Sequence, residues 1–398
     1  MPAVVITASY SGLALVRSLA RRGVKVYYVA DSKRVVGMSS RYATPVVFPD
    51  VLRNEDATVR ALLDLASMIG RPAVLFPTGD ALVLPISRHR DVLSVPYRFL
   101  MPEQRVLERL VSKQGLSEII EEKGLPGANS RTVGNGEEAD AAARSLDYPI
   151  LMKPVYSASW YRPELRSLVG GRKVITVENR DELKRWYNIV SAVDPRVILQ
   201  EIIPGEDSCL YYTCGYCNRE GRVEAIFAGQ KLRITPVHFG SASFVRSVRD
   251  EALLEQAVHF MESLGYQGLF GVEFKKDPRD GVFKIIEVNA RFGLWDGLAR
   301  RCGIDLGYLA YARETGLPYE VDPNYRAGVR WLSFRRDLDA CVAYRREGLL
   351  TIRSWIASLL GETEHAVFAW DDPWPTFFEF RDIASEKLLG RVRRLVKR

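Results

Sequence analysis

The sequence predicts a multidomain protein with an α/β part followed by an α+β part. Two observations predict this class. Short apolar runs alternate with helical patterns from the N-terminus, which is typical of a parallel sheet. Further along, two apolar-rich runs flank the turn residues DPRDG, which is typical of an antiparallel hairpin. At 398 residues, the chain is long enough for two or three domains.

The N-terminal part begins with a predicted βαβ unit. Residues 4–8 form a short apolar strand, residues 9–23 contain a helical pattern that ends at Gly23, and the next strand has Asp31 at its carboxyl end. A second unit follows over residues 44–93. The first turn, TASYSG, lacks the GxGxxG spacing of dinucleotide sites, so we do not expect nicotinamide binding.

The middle of the chain supplies several candidate strands and one long helix. Residues 102–124 form an uninterrupted helical pattern, and a Pro- and Gly-containing connector follows. Lys153 ends an apolar strand. Glu201 and Glu206 flank a Pro-Gly turn, for which a charged hairpin is the alternative to a site.

The hairpin at 269–292 carries the most informative polar residues. If Asp277 opposes Phe283, Glu273 opposes Glu287, and two facing carboxylates destabilise a sheet unless a cation lies between them. Asn289 follows two residues later, and an all-oxygen ligand set suits Mg²⁺ or Mn²⁺ better than zinc. A solvated hairpin face is the alternative.

Side-chain alternation also predicts which hairpin residues share a face. A period of two places Glu287, Asn289 and Arg291 on the face of Phe283 and Ile285. Residues 286 and 288 would then point the other way. Arg291 adds a planar fork that suits phosphate.

Composition sets the broad limits. Hydrophobic content of 47% and charged content of 26% are ordinary for a soluble protein, and no apolar run is long enough to span a bilayer, so we expect a cytoplasmic protein without an integral membrane segment. The net charge of +7 is scattered apart from the terminal RVRRLVKR, and we expect no nucleic-acid partner. That terminal segment is expected to be a solvated helix end, with a membrane-surface or anionic-polymer contact as the alternative.

Two short motifs do not change this interpretation. Cys209, Cys214 and Cys217 match the spacing of some iron–sulfur sites, but they lie in a strand-like run, and we expect buried thiols. Residues 89–91 spell the kinase triplet HRD without the accompanying kinase motifs, and we expect a helical surface there.

A family becomes visible when the motifs are taken in order. Lys113, Lys153, QEIIPGED, KLR, GVEF and EVNARF follow one another along the chain. This succession resembles the ATP-grasp superfamily of carboxylate-amine ligases. The segments GLALVRSLARRGVKVYYV, GQKLR, RWLSFRRDLDACVAYRREG and DDPWP are similar to the branch that contains peptidoglycan D-aspartate ligase.

The resemblance implies a two-lobed ATP-grasp fold between two other parts. We expect an N-terminal α/β domain over 1–105 and an ATP-grasp domain over 106–320, with its small lobe at about 113–205. An α-rich C-terminal extension would occupy 321–398. The extension could cover the site, mediate homodimerisation or guide a large anionic substrate.

The resemblance also implies roles for individual residues. For ATP, it assigns the phosphates to Lys113 and Lys153, the adenine edge to Glu201 and the backbone of Ile203, and the ribose to Glu206. The implied Mg²⁺ (or Mn²⁺) ligands are Glu273, Glu287 and Asn289. For catalysis, it assigns the transferred phosphoryl group to Arg291, and the γ-phosphate and substrate carboxylate to Lys231 and Arg233. His238 is a candidate base for the amine, with a structural role as the alternative. This chain departs from many relatives at Ser112 and Ala290, the residues before Lys113 and Arg291.

The implied activity is ATP-dependent formation of an amide or peptide bond through an acyl phosphate, with release of ADP and phosphate. The substrates would be a small-molecule carboxylate and an amine, such as an amino acid and a cell-wall or other anionic precursor. Phosphoryl transfer to another acceptor, carboxylation, and a catalytically inactive regulatory protein that binds nucleotide are the alternatives.

Overall fold

The computed structural model describes residues 1–7, 10–49, 54–156, 160, 163–172 and 174–383. The terminal basic segment therefore lies outside the described residues. The strands are β1 (Ala3–Ile6), β2 (Val26–Ala30), β3 (Ala43–Val47), β4 (Ala73–Pro77), β5 (Tyr97–Arg98), β6 (Ser130–Val133), β7 (Ile150–Pro154), β8 (Ile175–Val177), β9 (Val197–Glu201), β10 (Leu210–Cys217), β11 (Val223–Thr235), β12 (Ser241–Val248), β13 (Gly268–Lys276), β14 (Phe283–Asn289), β15 (Arg330–Leu332) and β16 (Thr363–His365).

The helices connect and cover these strands. They are α1 (Ser11–Ala20), α2 (Glu55–Ile69), α3 (Asp80–Arg88), α4 (Arg90–Leu93), α5 (Gln104–Val111), α6 (Lys113–Glu122), α7 (Gly136–Ala143), α8 (Pro163–Leu168), α9 (Arg180–Ser191), α10 (Glu251–Ser263), α11 (Gly297–Cys302), α12 (Leu306–Thr315), α13 (Phe334–Arg346) and α14 (Ile352–Ser358). A further helical segment runs over residues 374–383. None of the helices in the described part of the chain is long and apolar enough to cross a membrane.

The N-terminal sheet is parallel throughout, in the order β3-β2-β1-β4-β5. Along β1, Val4 and Ile6 enter one buried cluster while Ala3 and Val5 enter another. The sheet is thus buried on both faces, which explains why its strands are continuous apolar runs. The predicted combination of a parallel α/β part and an antiparallel part is confirmed.

Two further sheets follow along the chain. Strands β6, β9, β7 and β8 form a small antiparallel sheet in that order, and a seven-stranded sheet has the order β14-β13-β10-β11-β12-β15-β16. The Pro-Gly turn after β9 passes from the small sheet to the large one. The alternative of a charged hairpin at Glu201 and Glu206 is therefore wrong, because β9 and β10 belong to different sheets.

The predicted uninterrupted helix over 102–124 is also wrong. Ser112 has an extended backbone between α5 and α6, and its side chain caps α6 by accepting a hydrogen bond from the Gly115 N–H at 3.2 Å. A Cβ at Gly115 would lie 2.6 Å from the backbone oxygen of Arg109, so glycine permits the close approach of the two helices. The break makes Lys113 the first residue of α6.

The segment after residue 320 is joined to both other parts of the fold. Strand β15 pairs antiparallel with β12, and β16 pairs with β15, so both extend the large sheet. Asp372 is fully buried against the N-terminal domain, where its carboxylate accepts hydrogen bonds from Arg17 Nε at 2.9 Å and Ser40 Oγ at 2.6 Å. These contacts hold the C-terminal segment against α1.

All five cysteines are free thiols, and four of them are buried. Burial raises the pKa of the Cys217 thiol to about 12. The expectation of buried structural thiols is confirmed for Cys214 and Cys217, whereas Cys209 is only partly buried.

Candidate functional site

The predicted opposition of two glutamates across the hairpin is confirmed. Glu273 on β13 pairs directly with Glu287 on β14. The rest of the predicted register is wrong by one residue, because Lys276 and not Asp277 opposes Phe283. Strand β14 contains one extra residue, Ile286, opposite the step from Glu273 to Phe274 on β13. This β-bulge compensates for the shift and brings Glu273 and Glu287 into opposition.

The same bulge overturns the predicted sharing of faces. Phe283, Ile285 and Val288 all enter one buried core cluster, so Phe283 and Ile285 do not share a face with Glu287. Glu287 itself is exposed. The extra residue shifts the two-residue alternation by one position, which turns Glu287 and Asn289 away from the core.

Two cations lie against this face of the hairpin. The Lys231 ammonium on β11 forms an ion pair with the Glu273 carboxylate, and both side chains are largely buried. Arg291 Nη2 donates to Asn289 Oδ1 at 2.9 Å. The structure therefore brings together the predicted residues Lys231, Glu273, Glu287, Asn289 and Arg291 on and beside the large sheet.

Two lysines lie near each other, Lys153 on β7 of the small sheet and Lys113 at the start of α6. The Lys113 N–H donates to Val155 O at 3.1 Å, which ties the start of α6 to the end of β7, the strand that carries Lys153. Lys153 Nζ donates to Gln200 Oε1 on β9. Burial and the neighbouring charge of Lys113 lower the pKa of Lys153 to about 8, against a partial opposing effect from Glu287 and Glu273.

A cleft of about 280 Å³ opens beside these lysines. Its polar wall includes Lys113, Lys153 and Gln200, and its apolar wall includes Ile198 and Ile286. A phosphate-bearing ligand with an apolar ring would match such a division, because ammonium groups bind phosphate and apolar walls cover a ring. The bulged residue Ile286 thus lines the cleft directly before Glu287.

The acidic residues fit a metal only in part. Across the residues that the structure describes, no group of three or more His, Cys, Asp and Glu side chains is arranged to hold a metal ion. The hairpin offers two opposed carboxylates and the Asn289 amide oxygen. This set fits Mg²⁺, which commonly takes one or two protein carboxylates together with phosphate oxygens from a bound nucleotide.

Arg233 does not join this cluster. Its guanidinium forms a bidentate pair with the buried carboxylate of Asp337, at 2.8 Å from Nε to Oδ1 and 2.7 Å from Nη2 to Oδ2. A bulge in β11 between Lys231 and Arg233 interrupts the two-residue alternation of side chains between these two residues. The expected contact of Arg233 with a substrate carboxylate or oxyanion does not fit this buried position.

His238 lies in the turn between β11 and β12. Its ring Nε2 is 3.0 Å from Glu347 Oε2, its Nδ1 is 3.6 Å from Asp207 Oδ1, and its backbone φ is 70°. Two carboxylates therefore face the ring. This environment favours the structural alternative for His238 over a role as the amine's base.

The predicted nucleotide residues Glu201, Ile203 and Glu206 lie at and after the end of β9, where the chain leaves the small sheet. Glu201 Oε1 accepts a hydrogen bond from the Asn129 N–H at 2.9 Å, and Lys284 lies 3.7 Å away. The Ile203 side chain is buried, and Glu206 is exposed. Their roles at the adenine and ribose stay predictions.

Sequence reasoning missed three residues beside the site. Gln200 accepts a hydrogen bond from Lys153, Asp80 forms a bidentate pair with Arg291, and Asp296 is buried within electrostatic reach of Arg291. Only Asp80 had a usable signal. It follows β4 at the carboxyl end of a parallel strand, where ligand sites gather in such sheets.

Asp296 gives a testable pH dependence. Burial raises the pKa of its carboxyl to about 7, against the opposing effects of the Gly293 N–H and Arg291. A folded-state pKa above the unfolded value means that stability is fully present at acidic pH and is lost as pH rises towards 7. We expect Asp296→Asn to raise the free energy of unfolding at pH 8 by roughly 2–4 kcal/mol, at about 1.4 kcal/mol per pKa unit, and to change it little at pH 4.

The matched control for Asp296→Asn is Asp371→Asn, which should change stability at pH 8 in the opposite direction. The Arg21 guanidinium holds the pKa of the Asp371 carboxyl well below its usual range, so Asp371→Asn should lose stability at pH 8 and not gain it. An Asp296→Asn gain of equal size at both pH values would contradict the titration of Asp296.

Comparisons with known proteins find an ATP-binding segment, a ligase relative and solved structures of the same fold. Residues 216–316 match the family model of the carbamoyl-phosphate synthase L chain, ATP binding domain. D-aspartate ligase of Enterococcus faecium is 26% identical over 229 residues, which cover 55% of this chain and 53% of that relative. The chain thus spans about half the length of that curated relative.

Solved structures share the fold. Biotin carboxylase from Campylobacter jejuni superimposes with a TM-score of 0.66 at 17% identity and covers 82% of this chain and 74% of that chain. L-amino acid ligase from Bacillus licheniformis gives a TM-score of 0.59 at 16% identity, over 80% of this chain and 75% of that chain. The matched ATP-binding segment and the similarity to D-aspartate ligase confirm the resemblance to the ATP-grasp ligases seen in the sequence, and the solved structures show the shared fold.

Proposed function

We propose that this chain is an ATP-dependent carboxylate-amine ligase that forms an amide or peptide bond through an acyl phosphate. One observation carries the proposal. Glu273 and Glu287 oppose each other on the large sheet, while Lys113 and Lys153 on the facing elements lie close enough for Lys153 to respond to both glutamates. Acidic residues for a metal thus lie within electrostatic reach of a lysine that lines the cleft and could bind phosphates.

The proposed reaction has two steps. A carboxylate oxygen attacks the γ-phosphorus of ATP, and the bond from that phosphorus to the β–γ bridging oxygen breaks to release ADP. An amine nitrogen then attacks the acyl carbon, the bond from carbon to the phosphate oxygen breaks, and the nitrogen loses a proton. Bound Mg²⁺ would neutralise charge on the phosphates.

The chain's own residues would position the reacting groups and neutralise their negative charge. Lys153 and Lys113 would bind phosphate oxygens, and Lys231 would balance the charge of Glu273. Arg291 would hold the transferred phosphoryl group, because its fork suits phosphate geometry. This scheme requires no nucleophilic side chain, since the reaction depends on position and electrostatics.

The proposed substrate class rests on the similarity to known ligases and not on any contact between this chain and a substrate. D-aspartate ligase and L-amino acid ligase support an amino acid as one substrate. An anionic precursor as the second substrate, cytoplasmic location and a homodimer remain proposals. Bicarbonate should also be tested as a substrate that accepts the phosphoryl group, because the fold is shared with biotin carboxylase.

An ADP-release assay tests the proposal. The chain is incubated with Mg-ATP and pairs of amino acids or other carboxylates and amines, and in parallel with bicarbonate. At least one carboxylate-amine pair should stimulate ADP release and yield an amide product by mass spectrometry. Stimulation by bicarbonate alone, or by no pair, would overturn the ligase assignment.

The lowered pKa of Lys153 predicts how ATP binding should depend on pH. With a pKa of about 8, Lys153 is protonated below pH 8 and loses its charge above it. Because phosphates bind the charged form, the KM for ATP should rise above pH 8 by up to about tenfold per pH unit. Lys153→Arg stays charged, and its profile should be flat between pH 7 and 9.5.

Lys123→Arg is the control for Lys153→Arg, because Lys123 donates to Ser263 O on the exposed surface. It should keep the wild-type rise in KM. An equal rise in Lys153→Arg would show that another group controls the pH dependence.

A further inference from the structure

Arg291 has a partner from a distant part of the chain. Asp80 is the first residue of α3, and its carboxylate accepts from Arg291 Nε at 2.6 Å and from Nη2 at 2.8 Å. The two residues are separated by 211 positions. The N-terminal domain therefore makes a bidentate contact with the arginine at the end of the hairpin.

The position of Asp80 is one that the fold makes suitable for a site. It follows β4, and in the sheet order β3-β2-β1-β4-β5 the connections change direction between β1 and β4. Crevices at the carboxyl ends of strands beside such a switch are where parallel sheets place functional groups. Asp80 remains largely exposed there, while the Arg291 side chain is mostly buried.

The hydrogen-bond inventory of Arg291 shows what this contact leaves available. A guanidinium has five N–H donors. Asp80 takes Nε and one hydrogen of Nη2, and Asn289 Oδ1 takes the other at 2.9 Å. Among the residues that the structure describes, Nη1 has one long contact, 3.4 Å to Phe292 O. The Nη1 edge is thus the part of the fork that remains for an incoming oxygen.

We propose that Asp80 is a positioning residue that fixes the Arg291 guanidinium so that its Nη1 edge faces the reacting phosphoryl group. The proposal rests on the ligase function above and deepens it. Asp80 touches no reacting atom and acts through Arg291. The contact also makes the orientation of Arg291 depend on how the N-terminal domain sits against the hairpin.

Burial explains why Arg291 requires such a partner. Burial acts to lower the pKa of Arg291, and the charge and hydrogen bonds of Asp80 outweigh it, so that the pKa is raised. Asp80→Asn should change global stability little, because the amide oxygen of Asn can still accept from Arg291 and solvent screens the exposed side of the pair. A change in turnover without a change in stability would therefore separate positioning from a structural role.

The main test is Asp80→Asn in ADP release with the best carboxylate-amine pair. Loss of the bidentate contact should lower kcat about 10- to 100-fold, with the KM for ATP within about threefold and the thermal midpoint unchanged. Arg291→Lys cannot form the fork, so adding Asp80→Asn to it should have no further effect on kcat. Additive losses in the double variant, or wild-type kcat in Asp80→Asn, would overturn the proposal.

The small lobe offers a matched control. Asp140 accepts from Arg180 Nε at 3.2 Å and Nη2 at 2.9 Å, a bidentate pair of the same kind at the surface. Asp140→Asn should leave kcat unchanged. If no carboxylate-amine pair supports turnover in the wild type, the ligase function fails, and the variants are compared in acceptor-free ATP hydrolysis. Unchanged hydrolysis in Asp80→Asn then overturns the positioning role separately.

Discussion

Replacing Glu287 by Gln should lower ATP turnover by about 100-fold or more while the thermal midpoint stays unchanged. The substitution keeps the size of the side chain but removes one of the two opposed charges that would hold Mg²⁺ on the phosphates. Metal ions supply several kcal/mol of charge stabilisation in phosphoryl transfer, and about 1.4 kcal/mol corresponds to a tenfold change in rate. Glu287 is exposed, so its loss should not disturb the core.

ADP release and the dependence of rate on Mg²⁺ concentration measure this effect. Glu255→Gln is the control, because Glu255 is also exposed but lies on α10, away from the hairpin strands. It should keep wild-type turnover. A Glu287→Gln rate within a few-fold of wild type at all Mg²⁺ concentrations would remove Glu287 from the metal site.

Replacing Asp372 by Ala should cause the largest loss of stability. The Asp372 carboxylate is fully buried and accepts hydrogen bonds from Arg17, Ser40 and the Arg41 N–H. Its removal would leave the Arg17 guanidinium buried without its counter-charge. Breaking a buried ion pair from one side typically costs about 3–5 kcal/mol.

The adjacent residue is the matched control for Asp372→Ala. Asp371 pairs with Arg21 at 2.7 Å, but both side chains are partly exposed. Its substitution by Ala should cost no more than about 1 kcal/mol, because solvent screens exposed pairs. Thermal and urea unfolding measure both variants. Equal losses in the two variants would show that burial does not set the energy of this contact.

The spacing of apolar residues and the identity of the turn residues were enough to predict the parallel N-terminal sheet and the hairpin. They could not predict the bulges at Ile286 and Leu232, because an extra residue in a strand changes neither composition nor local propensity. The predicted opposition of Glu273 and Glu287 was right, although the predicted pairing of the neighbouring hairpin residues was wrong by one position. The bulge at Leu232 sent Arg233 to Asp337 instead of to the cluster around Lys231.

Long-range pairs were the second kind of feature that the sequence could not show. Arg233 and Asp337 are 104 positions apart, and Arg17 and Asp372 are 355 apart. Nothing local distinguishes these charged residues from solvated ones, so their pairing depends on tertiary structure. Lys153 was different, because an apolar strand ending in a lysine is a local pattern, and the structure places that lysine at the cleft.

The pairing of β15 and β16 with β12 has a consequence for how the protein can be divided. Removing the segment after residue 320 would strip β12 of its neighbour and expose its unpaired N–H and C=O groups along one side. Such a bare edge is a template for pairing with another chain. The same cut would remove Asp337 and leave the Arg233 charge buried alone. A shortened chain that retains every proposed ATP and metal residue should therefore aggregate and should not behave as an independent catalytic domain.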